Sequence, residues 1–245
     1  MKYLDLTLSR PAENLACDEA LLDACEERGA DEILRVWEPR DYFVVLGYAN
    51  RAQTEANLEL CRTQNVSVLR RCTGGGAVLQ GLGCLNYSLT LKIPDTDGSI
   101  TATNYAIMKR QRAASQSALA NATSPFDQLE VNVAGITDLA LGFLKFSGNA
   151  QRRRKKFLLF HGSFLLNFDL GLIDRLLPMP SKQPDYRKQR RHSEFLVNLG
   201  VPPSAVKAAL RAEWGASEER AEPPLAAIRS LVRKKYATEE WNLKF

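Results

Sequence analysis

The sequence predicts an α+β fold with helices flanking a mixed sheet, because segments of strand periodicity alternate with segments of helical periodicity along the chain. Residues 85–91 alternate apolar and polar side chains, as a strand does. Residues 14–27 have apolar side chains at helical spacing with Asn14 as N-cap, and residues 101–121 form a longer, alanine-containing helical segment. The 245 residues suffice for one large core, so we expect a single domain over residues 1–245.

The other elements follow in order along the chain. Further strands are predicted at 4–8, 33–37, 42–46, 66–69, 129–133, 139–146 and 157–168. Further helices are predicted at 55–64, 170–177, 203–214 and 225–236. A basic, proline-rich linker at about 178–192 precedes a helical C-terminal segment at about 193–245. Trp241 and Phe245 need a surface to dock on, either at the edge of this domain or on another chain.

Composition excludes several classes of protein. The net charge is +5 and 45% of the residues are hydrophobic, which indicates a globular protein with a mildly basic surface. No apolar run is long enough to cross a bilayer, and the first residues lack the features of a signal peptide. The five cysteines have no Cys-x-x-Cys spacing, and two histidines make a zinc site improbable. Reduced thiols in the cytoplasm are the expected state.

A glycine-rich segment carries the first functional signal. Arg70 and Arg71 end a strand and are followed by Thr73 and the glycines 74–76. Three consecutive glycines cost conformational entropy, which a chain accepts where the backbone bends unusually or a ligand approaches closely. A hairpin turn is the alternative, but it has no use for paired arginines, so the pattern favours an anion site. The segment matches neither the P-loop nor the Rossmann fingerprint.

A run of five cations forms the second signal. Residues 152–156 lie within segment 147–156, which separates the strands predicted at 139–146 and 157–168. We expect this run at the tip of a hairpin, projecting into solvent. Its position directly after Lys145-Phe146-Ser147-Gly148 also favours contact with an anionic ligand or partner.

Several motifs, in one order, resemble the lipoate–protein ligase family of the biotin/lipoyl ligase and lipoyl/octanoyl transferase superfamily. The first is Arg70-Arg71-Cys72-Thr73-Gly74-Gly75-Gly76-Ala77-Val78, followed by Gly83-x-Leu85-Asn86-Tyr87-Ser88. The others are Asn14-Leu15-Ala16 with Asp18-Glu19-Ala20-Leu21-Leu22, Leu34-Arg35-Val36-Trp37, Val44-Val45-Leu46-Gly47, Lys145-Phe146-Ser147-Gly148-Asn149-Ala150 and His161-Gly162-Ser163-x-Leu165-Leu166-Asn167-x-Asp169-Leu170. The resemblance is collinear over residues 4–170.

The resemblance implies a fold like that of the catalytic domains of class II aminoacyl-tRNA synthetases and biotin ligases. It also implies an ATP-dependent ligase that forms lipoyl-adenylate and transfers the lipoyl group to a lysine of a lipoyl-domain carrier protein. Lys145 is then the catalytic residue, and Asp138 contacts Mg²⁺. The implied ATP and adenylate contacts are Arg71, Gly76, Ala77, Val78, Leu79, Lys145 and Gly148. The implied lipoate contacts are Arg70, Gly75, Asn86, Lys145 and His161.

The chain departs from the family pattern in three places. Gln80-Gly81 replaces the usual His-Asp, and Tyr48-Ala49-Asn50 replaces a segment with an arginine or similar polar residue. These changes leave the choice between lipoate and octanoate open. Many bacterial ligases continue beyond the point that corresponds to Phe245 with an accessory domain. This implies a separate accessory subunit, a ligase without one, or a different reaction.

Two other functions compete with the ligase. An octanoyl or lipoyl transferase works without ATP through a cysteine thioester, but no cysteine follows Cys84. Cys72 and Cys84 flank the glycines and are expected to pack as small apolar residues. A non-catalytic nucleotide- or carrier-binding module would use the basic runs 152–156 and 187–191, but retention of Arg71 and Lys145 favours an enzyme. The runs lack the interleaved aromatics of a nucleic-acid surface, whereas acidic carrier domains suit them.

Overall fold

The computed structural model describes residues 1–29, 31–95, 98–219 and 222–245. The strands in these ranges are β1 (Lys2–Asp5), β2 (Ile33–Trp37), β3 (Phe43–Leu46), β4 (Ser67–Arg70), β5 (Val78–Gln80), β6 (Cys84–Lys92), β7 (Val131–Ala134), β8 (Asp138–Leu141), β9 (Leu144–Arg153), β10 (Phe157–Leu165) and β11 (Glu218–Glu219). The helices are α1 (Pro11–Arg28), α2 (Ala52–Glu55), α3 (Leu58–Thr63), α4 (Ile100–Ala120), α5 (Leu170–Leu176), α6 (His192–Phe195), α7 (Pro203–Glu213), α8 (Leu225–Leu231) and α9 (Glu239–Asn242). A 3₁₀ turn lies at Asp185–Arg187 and a π-helical turn at Val232–Tyr236.

The strands form one large mixed sheet and one small sheet. The large sheet has the order β11-β1-β2-β6-β10-β9-β8-β7, and the small sheet has the order β4-β3-β5. β1 is parallel to both β11 and β2, whereas every pair from β2 to β7 is antiparallel. The prediction of an α+β fold with a mixed sheet flanked by helices is confirmed.

Helices cover both faces of the large sheet. Leu158 and Phe160 of β10 pack on the side of α4 and α7, while Phe157 and Leu159 pack on the side of α1 and α8. A strand covered on both faces has no solvated side, so β6 is buried from Cys84 to Leu91. Its polar residues therefore point into the protein rather than into water. This places Asn86, Ser88 and Thr90 next to α1, where they need internal hydrogen-bond partners.

The first long helix begins before Asn14, so the prediction of Asn14 as N-cap was wrong. Pro11 occupies the first helical position, where proline loses no hydrogen bond, and Arg10 is the N-cap. Asn14 is buried, and its amide exchanges hydrogen bonds with the backbone of Leu8. Asn14 thus fastens α1 to the segment that precedes it.

The basic run forms a solvated hairpin tip only in part, because residues 154–156 are exposed there whereas Arg152 and Arg153 belong to β9. Pairing with β10 extends β9 through Arg153, so the connection consists of residues 154–156 alone. Arg152 lies in the strand and forms an ion pair of 3.1 Å with the buried Glu19. Arg154 forms an ion pair of 2.6 Å with Asp23. Inter-strand hydrogen bonds and acidic residues of α1 therefore hold much of the run against the protein.

The two segments predicted as a linker and a tail both dock on this chain. Residues 178–196, which we call the covering segment, lie over the end of β9 and return to it where Val197 N–H donates to the Lys145 carbonyl. At the end of the chain, the Trp241 indole N–H donates to the Arg70 carbonyl at 2.8 Å. The Ala52 N–H donates to the Phe245 carbonyl at 3.0 Å. No helix in the described ranges has both the length and the apolar character needed to cross a membrane.

Candidate active site

Lys145 lies on β9 at an irregularity of the sheet. The register between β8 and β9 shifts at Leu139/Ala140, so that Leu139 faces Ser147 while Ala140 faces Lys145. Phe146 is the extra residue of this bulge, and its ring is fully buried in the core. Bulges often redirect side chains next to active sites. Here the bulge anchors the strand with Phe146 and leaves Lys145 facing a cavity.

The Lys145 ammonium is held by Asp138 in a space that Gly148 leaves free. Lys145 Nζ lies 2.8 Å from Asp138 Oδ1, and both side chains are largely buried. A Cβ on residue 148 would lie 2.7 Å from Lys145 Nζ, which is too close for any real contact. Gly148 is therefore needed for this position of the ammonium. The other carboxylate oxygen, Asp138 Oδ2, accepts a hydrogen bond of 2.8 Å from the Tyr186 hydroxyl.

A cavity of about 110 Å³ surrounds Lys145, which we call the Lys145 cavity. Its floor includes Ala77, Val78, Leu79, Gly148 and Ser163. Its roof is the covering segment, with Pro178, Pro180, Arg187, His192 and Phe195. Strands of both sheets and the covering segment thus meet at Lys145.

Ionisable side chains of both signs line the Lys145 cavity. Arg187 is buried, and burial lowers the pKa of its guanidinium. Burial also lowers the pKa of His192, with further contributions from the nearby positive charges of Arg187 and Lys145. His192 Nδ1 lies 3.1 Å from Asp174 Oδ1, and this contact acts to raise the pKa of His192. Glu55 is also buried and lines the same cavity, so the cavity contains a carboxylate as well. The two cations, Lys145 and Arg187, can bind an anion such as a phosphate.

Arg71 shapes the glycine loop, which we define as residues 73–77. Its guanidinium donates to the carbonyls of Gly74 and Gly76 and to the Thr73 hydroxyl. Gly75 has φ +88°, a left-handed conformation that favours glycine. Burial lowers the pKa of Arg71 to about 10. The side chain thus folds the loop around itself, and it is not among the residues that line the Lys145 cavity.

A second cavity of about 340 Å³ lies beside the glycine loop. Gly74, Gly75, Cys72, Tyr48 and Arg152 line it. It contains Gly75, one of the predicted lipoate contacts. Tyr48, at one of the departures from the family pattern, is half exposed and packs edge-on against Trp241 with 5.8 Å between ring centroids.

A buried ionic network connects α1 to the glycine loop. Arg35 Nη1 donates to Asp18 Oδ1 at 2.6 Å, and His161 Nδ1 lies 3.4 Å from Asp18 Oδ2. His161 Nε2 lies 2.7 Å from the Thr73 hydroxyl. Burial acts to raise the pKa of Asp18, but Arg35 and His161 outweigh it and hold that pKa below its usual value. Sequence reasoning gave Asp18 and Thr73 no role, although an acidic residue inside an apolar helix pattern is a usable signal.

A second polar chain crosses β5, β6 and β10. Gln80 donates to Ser163 Oγ at 2.5 Å, and Ser163 donates to Asn86 Oδ1 at 2.6 Å. Within the described residues, Asn86 Nδ2 and Gln80 Oε1 are buried without a hydrogen-bond partner. Unpaired buried polar atoms are costly, and Ser163, which lines the Lys145 cavity, connects these two amides to it. Gln80, one of the departures from the family pattern, is therefore part of this polar chain.

The structure groups the predicted site residues unevenly. Of the predicted adenylate contacts, Ala77, Val78, Leu79, Lys145 and Gly148 line the Lys145 cavity. Gly76 points its carbonyl to Arg71 instead. Of the predicted lipoate contacts, Asn86 and His161 belong to the two polar networks below the glycine loop. The covering-segment residues Tyr186, Arg187 and His192 were missed, because a basic, proline-rich stretch resembles an ordinary linker.

Arg70 does not reach either cavity, which does not support the lipoate contact that the resemblance implies. Its guanidinium is fully buried and donates to the carbonyls of Gly47, Asn50, Trp241 and Asn242. Five donors in a fixed fork suit such a set of carbonyls. Arg70 therefore joins the C-terminal segment to the loop after β3.

Gly47 supports the glycine loop from below, which gives a first testable prediction. A Cβ at residue 47 would lie 2.0 Å from the Gly75 carbonyl oxygen, so Gly47→Ala must displace the loop. Overpacking of this kind costs about 1–3 kcal/mol, and we expect a lower thermal unfolding midpoint. Gly74→Ala is the matched control, because a Cβ there meets nothing within 4 Å. Equal midpoints for the two variants would contradict this packing.

Asp138 alone does not make a protein metal site. The described residues contain no group of three or more His, Cys, Asp or Glu side chains placed to hold a metal. Mg²⁺ bound with a nucleotide commonly takes one or two carboxylates and completes its shell with phosphate oxygens and water. Asp138 fits the role of such a single carboxylate, which would share its oxygens with Lys145 and with the Tyr186 hydroxyl.

Comparison with known proteins assigns this site to a family. The family model for the lipoyl protein ligase A/B catalytic domain matches residues 10–199. The chain belongs to this family. The match covers the glycine loop, Asp138, Lys145 and the covering segment, so the residues described above lie inside the family's catalytic domain.

Relatives within the family differ in the reaction that their names state. Octanoyltransferase LipM from Brevibacillus brevis is 28% identical, with 99% of this chain and 98% of the relative covered. The bi-partite lipoate protein ligase from Thermoplasma acidophilum, described together with its E2 lipoyl domain, is 26% identical with a TM-score of 0.80 over 99% of this chain and 95% of that chain. A lipoate-protein ligase A bound with ATP is 27% identical with a TM-score of 0.79 over 99% of this chain and 98% of that chain. These relatives support the assignment of this chain as an enzyme that transfers lipoyl or octanoyl groups.

Proposed function

We propose that the protein is an ATP-dependent lipoate–protein ligase, which forms lipoyl-adenylate and transfers the lipoyl group to a lysine of a lipoyl domain. The observation that carries this proposal is the Lys145 cavity, where a lysine held by Asp138 shares the lining with the buried Arg187. The likeness to an ATP-bound ligase supports the same reaction.

The cations of the cavity suit the first step. Attack of the lipoate carboxylate on the α-phosphate of ATP forms the acyl-phosphate bond and expels pyrophosphate, while negative charge builds up on the phosphoryl oxygens. The Lys145 ammonium stabilises that charge in a site where Asp138 and Gly148 have already fixed its position. Asp138 would also be the protein ligand of a nucleotide-bound Mg²⁺, which would neutralise phosphate charge.

The same ammonium suits the second step. The acceptor lysine amine attacks the acyl carbonyl of lipoyl-adenylate, the acyl-phosphate bond breaks, and AMP leaves. Lys145 then stabilises the oxygen that gains charge on the carbonyl or on the departing phosphate. We propose a lipoyl domain as the acceptor and an accessory subunit as a second partner, as in the bi-partite ligase of Thermoplasma acidophilum.

The cysteines argue for the ligase over an octanoyl or lipoyl transferase. All five are unbridged and buried. Burial raises the pKa of Cys72 to about 11 and that of Cys84 to about 12, so neither is a thiolate at neutral pH. No cysteine is among the residues that line the Lys145 cavity. A thioester intermediate near Lys145 therefore has no evident nucleophile, although the likeness to LipM makes the transferase the second candidate.

The deciding experiment is mass spectrometry of an acceptor lipoyl domain incubated with the protein. One reaction contains lipoate and Mg·ATP, a second omits ATP, and a third offers an octanoylated carrier protein without ATP. Modification that requires ATP and releases AMP supports the ligase. Transfer in the third reaction would replace the ligase with the transferase.

Thiol alkylation provides a second prediction that separates the two reactions. Because every cysteine is buried, and burial raises the pKa of Cys61, Cys72 and Cys84, pretreatment of the native protein with iodoacetamide should leave the modification of the lipoyl domain unchanged. Intact mass should show an unalkylated chain, with alkylation of the urea-unfolded protein as the control. Loss of transfer together with alkylation of one cysteine would indicate a thioester route.

A further inference from the structure

Tyr186 connects the covering segment to the ion pair that holds Lys145. Its hydroxyl donates to Asp138 Oδ2 at 2.8 Å, while Asp138 Oδ1 lies 2.8 Å from Lys145 Nζ. The Asp138 carboxylate therefore contacts two groups, the Lys145 ammonium from β9 and the Tyr186 hydroxyl from the covering segment. Rotation of that carboxylate would move Asp138 Oδ1, the oxygen that Lys145 Nζ contacts.

The Tyr186 ring is anchored as well as its hydroxyl. It packs on Phe195, which is 2% exposed, with 5.2 Å between ring centroids. The guanidinium groups of Arg187 and Arg190 lie 4.8 Å and 5.2 Å from the centre of the Phe195 ring.

The covering segment contributes much of the lining of the Lys145 cavity. The Lys145 cavity has a volume of about 110 Å³, which is below the roughly 300–1,000 Å³ of pockets for drug-sized ligands. Pro178, Pro180, Arg187, His192 and Phe195 of the covering segment form the roof, whereas strands form the floor. A displacement of the covering segment would enlarge the cavity, and it would carry Tyr186 with it.

We propose that Tyr186 is a positioning residue, which orients Asp138 so that Lys145 is held in its reactive position only when the covering segment is closed. The inference rests on the proposed ligase function for its catalytic consequence, but the coupling of Tyr186, Asp138 and Lys145 is a property of the free protein. The hydroxyl transmits the position of the covering segment to Lys145. Closure over the nucleotide and correct placement of the catalytic cation then occur together.

Tyr186→Phe tests this coupling, because it removes the hydroxyl and keeps the ring on Phe195. Tyr105→Phe is the matched control, since Tyr105 is 73% exposed on α4. In the absence of substrates, we expect an amine-acetylating reagent to modify Lys145 several-fold faster in Tyr186→Phe than in Tyr105→Phe. Mass spectrometry measures the modification, and Lys92 is the internal reference. We also expect several-fold faster tryptic cleavage between Lys182 and Arg191 at an unchanged unfolding midpoint.

The kinetic readout separates positioning from substrate binding. In ATP-dependent lipoylation we expect the kcat of Tyr186→Phe to fall about tenfold with little change in the KM for ATP, because a hydrogen bond to a charged group is lost from the reacting arrangement. Acetylation and cleavage rates equal to those of Tyr105→Phe would overturn the proposal, and so would a change in KM alone. If the unmodified protein shows no ATP-dependent activity, the proposed function fails, and the acetylation and cleavage rates still decide the coupling.

Discussion

Lys145→Met should lower the rate of lipoyl-adenylate formation by about 10²–10³-fold or more while the protein remains folded. Removal of one group that stabilises transition-state charge typically has an effect of this size. Methionine keeps much of the aliphatic length, so the loss reports the charge rather than packing. Asp138 keeps its hydrogen bond from Tyr186, which limits the structural change. Pyrophosphate release from ATP and lipoate measures the step directly.

Lys92→Met is the matched control for this prediction. Lys92 also faces an aspartate, Asp95 at 3.8 Å, but both side chains are largely exposed. An exposed ion pair contributes little, so the same substitution should change neither stability nor rate appreciably. If the Lys145→Met variant, folded by circular dichroism, released pyrophosphate at the unmodified rate, the catalytic assignment of Lys145 would be wrong.

Arg35→Met should destabilise the fold by about 3–5 kcal/mol, because it removes one partner of a buried ion pair. Arg35 is fully buried and donates to Asp18 at 2.6 Å and to Asn14 Oδ1 at 2.6 Å. Without it the Asp18 carboxylate stays buried with only weaker partners, Ser88 and His161. Such a loss is a large part of the roughly 5–15 kcal/mol that stabilise a typical domain. Urea unfolding followed by circular dichroism measures the difference.

The matched control for this pair is Arg154→Met. Arg154 also forms an ion pair, with Asp23 at 2.6 Å, but about a third of each side chain is exposed. We expect a cost of about 1 kcal/mol or less. If Arg35→Met were no more destabilising than Arg154→Met, the buried network would not stabilise the fold as argued.

The pH dependence of the Arg35→Met effect follows from the pKa of Asp18. In the folded protein that pKa lies below its usual value, since Arg35 and His161 outweigh the effect of burial. The ion pair therefore stabilises the fold above the ordinary carboxyl pKa of about 4, and this contribution is lost as the pH falls through the folded value. The difference in unfolding free energy between the two proteins should shrink with acidification below about pH 4.

The periodicity of apolar side chains predicted the helices and strands well where that periodicity was clear. The helix predicted at 101–121 lies at Ile100–Ala120, and the strand predicted at 33–37 lies at Ile33–Trp37. The helix is long, and the strand is followed by turn residues. The hairpin predicted around 147–156 is present as β9 and β10, but its turn is shorter than the sequence predicts. The sequence does not show that β9 continues through Arg153, or that Glu19 and Asp23 of α1 lie opposite the cations. A local stretch of sequence does not show which distant residues will form ion pairs with it.

The candidate site divides in the same way. The sequence by itself determined the glycine loop, Lys145 and Asp138 as candidates, since their motifs are short and ordered along the chain. Only the tertiary structure decided that Arg70 secures the C-terminal segment, that Arg71 folds the glycine loop, and that Tyr186 reaches Asp138. A guanidinium that binds a ligand and one that binds main-chain carbonyls have the same sequence signature. The difference is set by which backbone lies within hydrogen-bond distance after the sheets, the covering segment and the C-terminal segment have packed together.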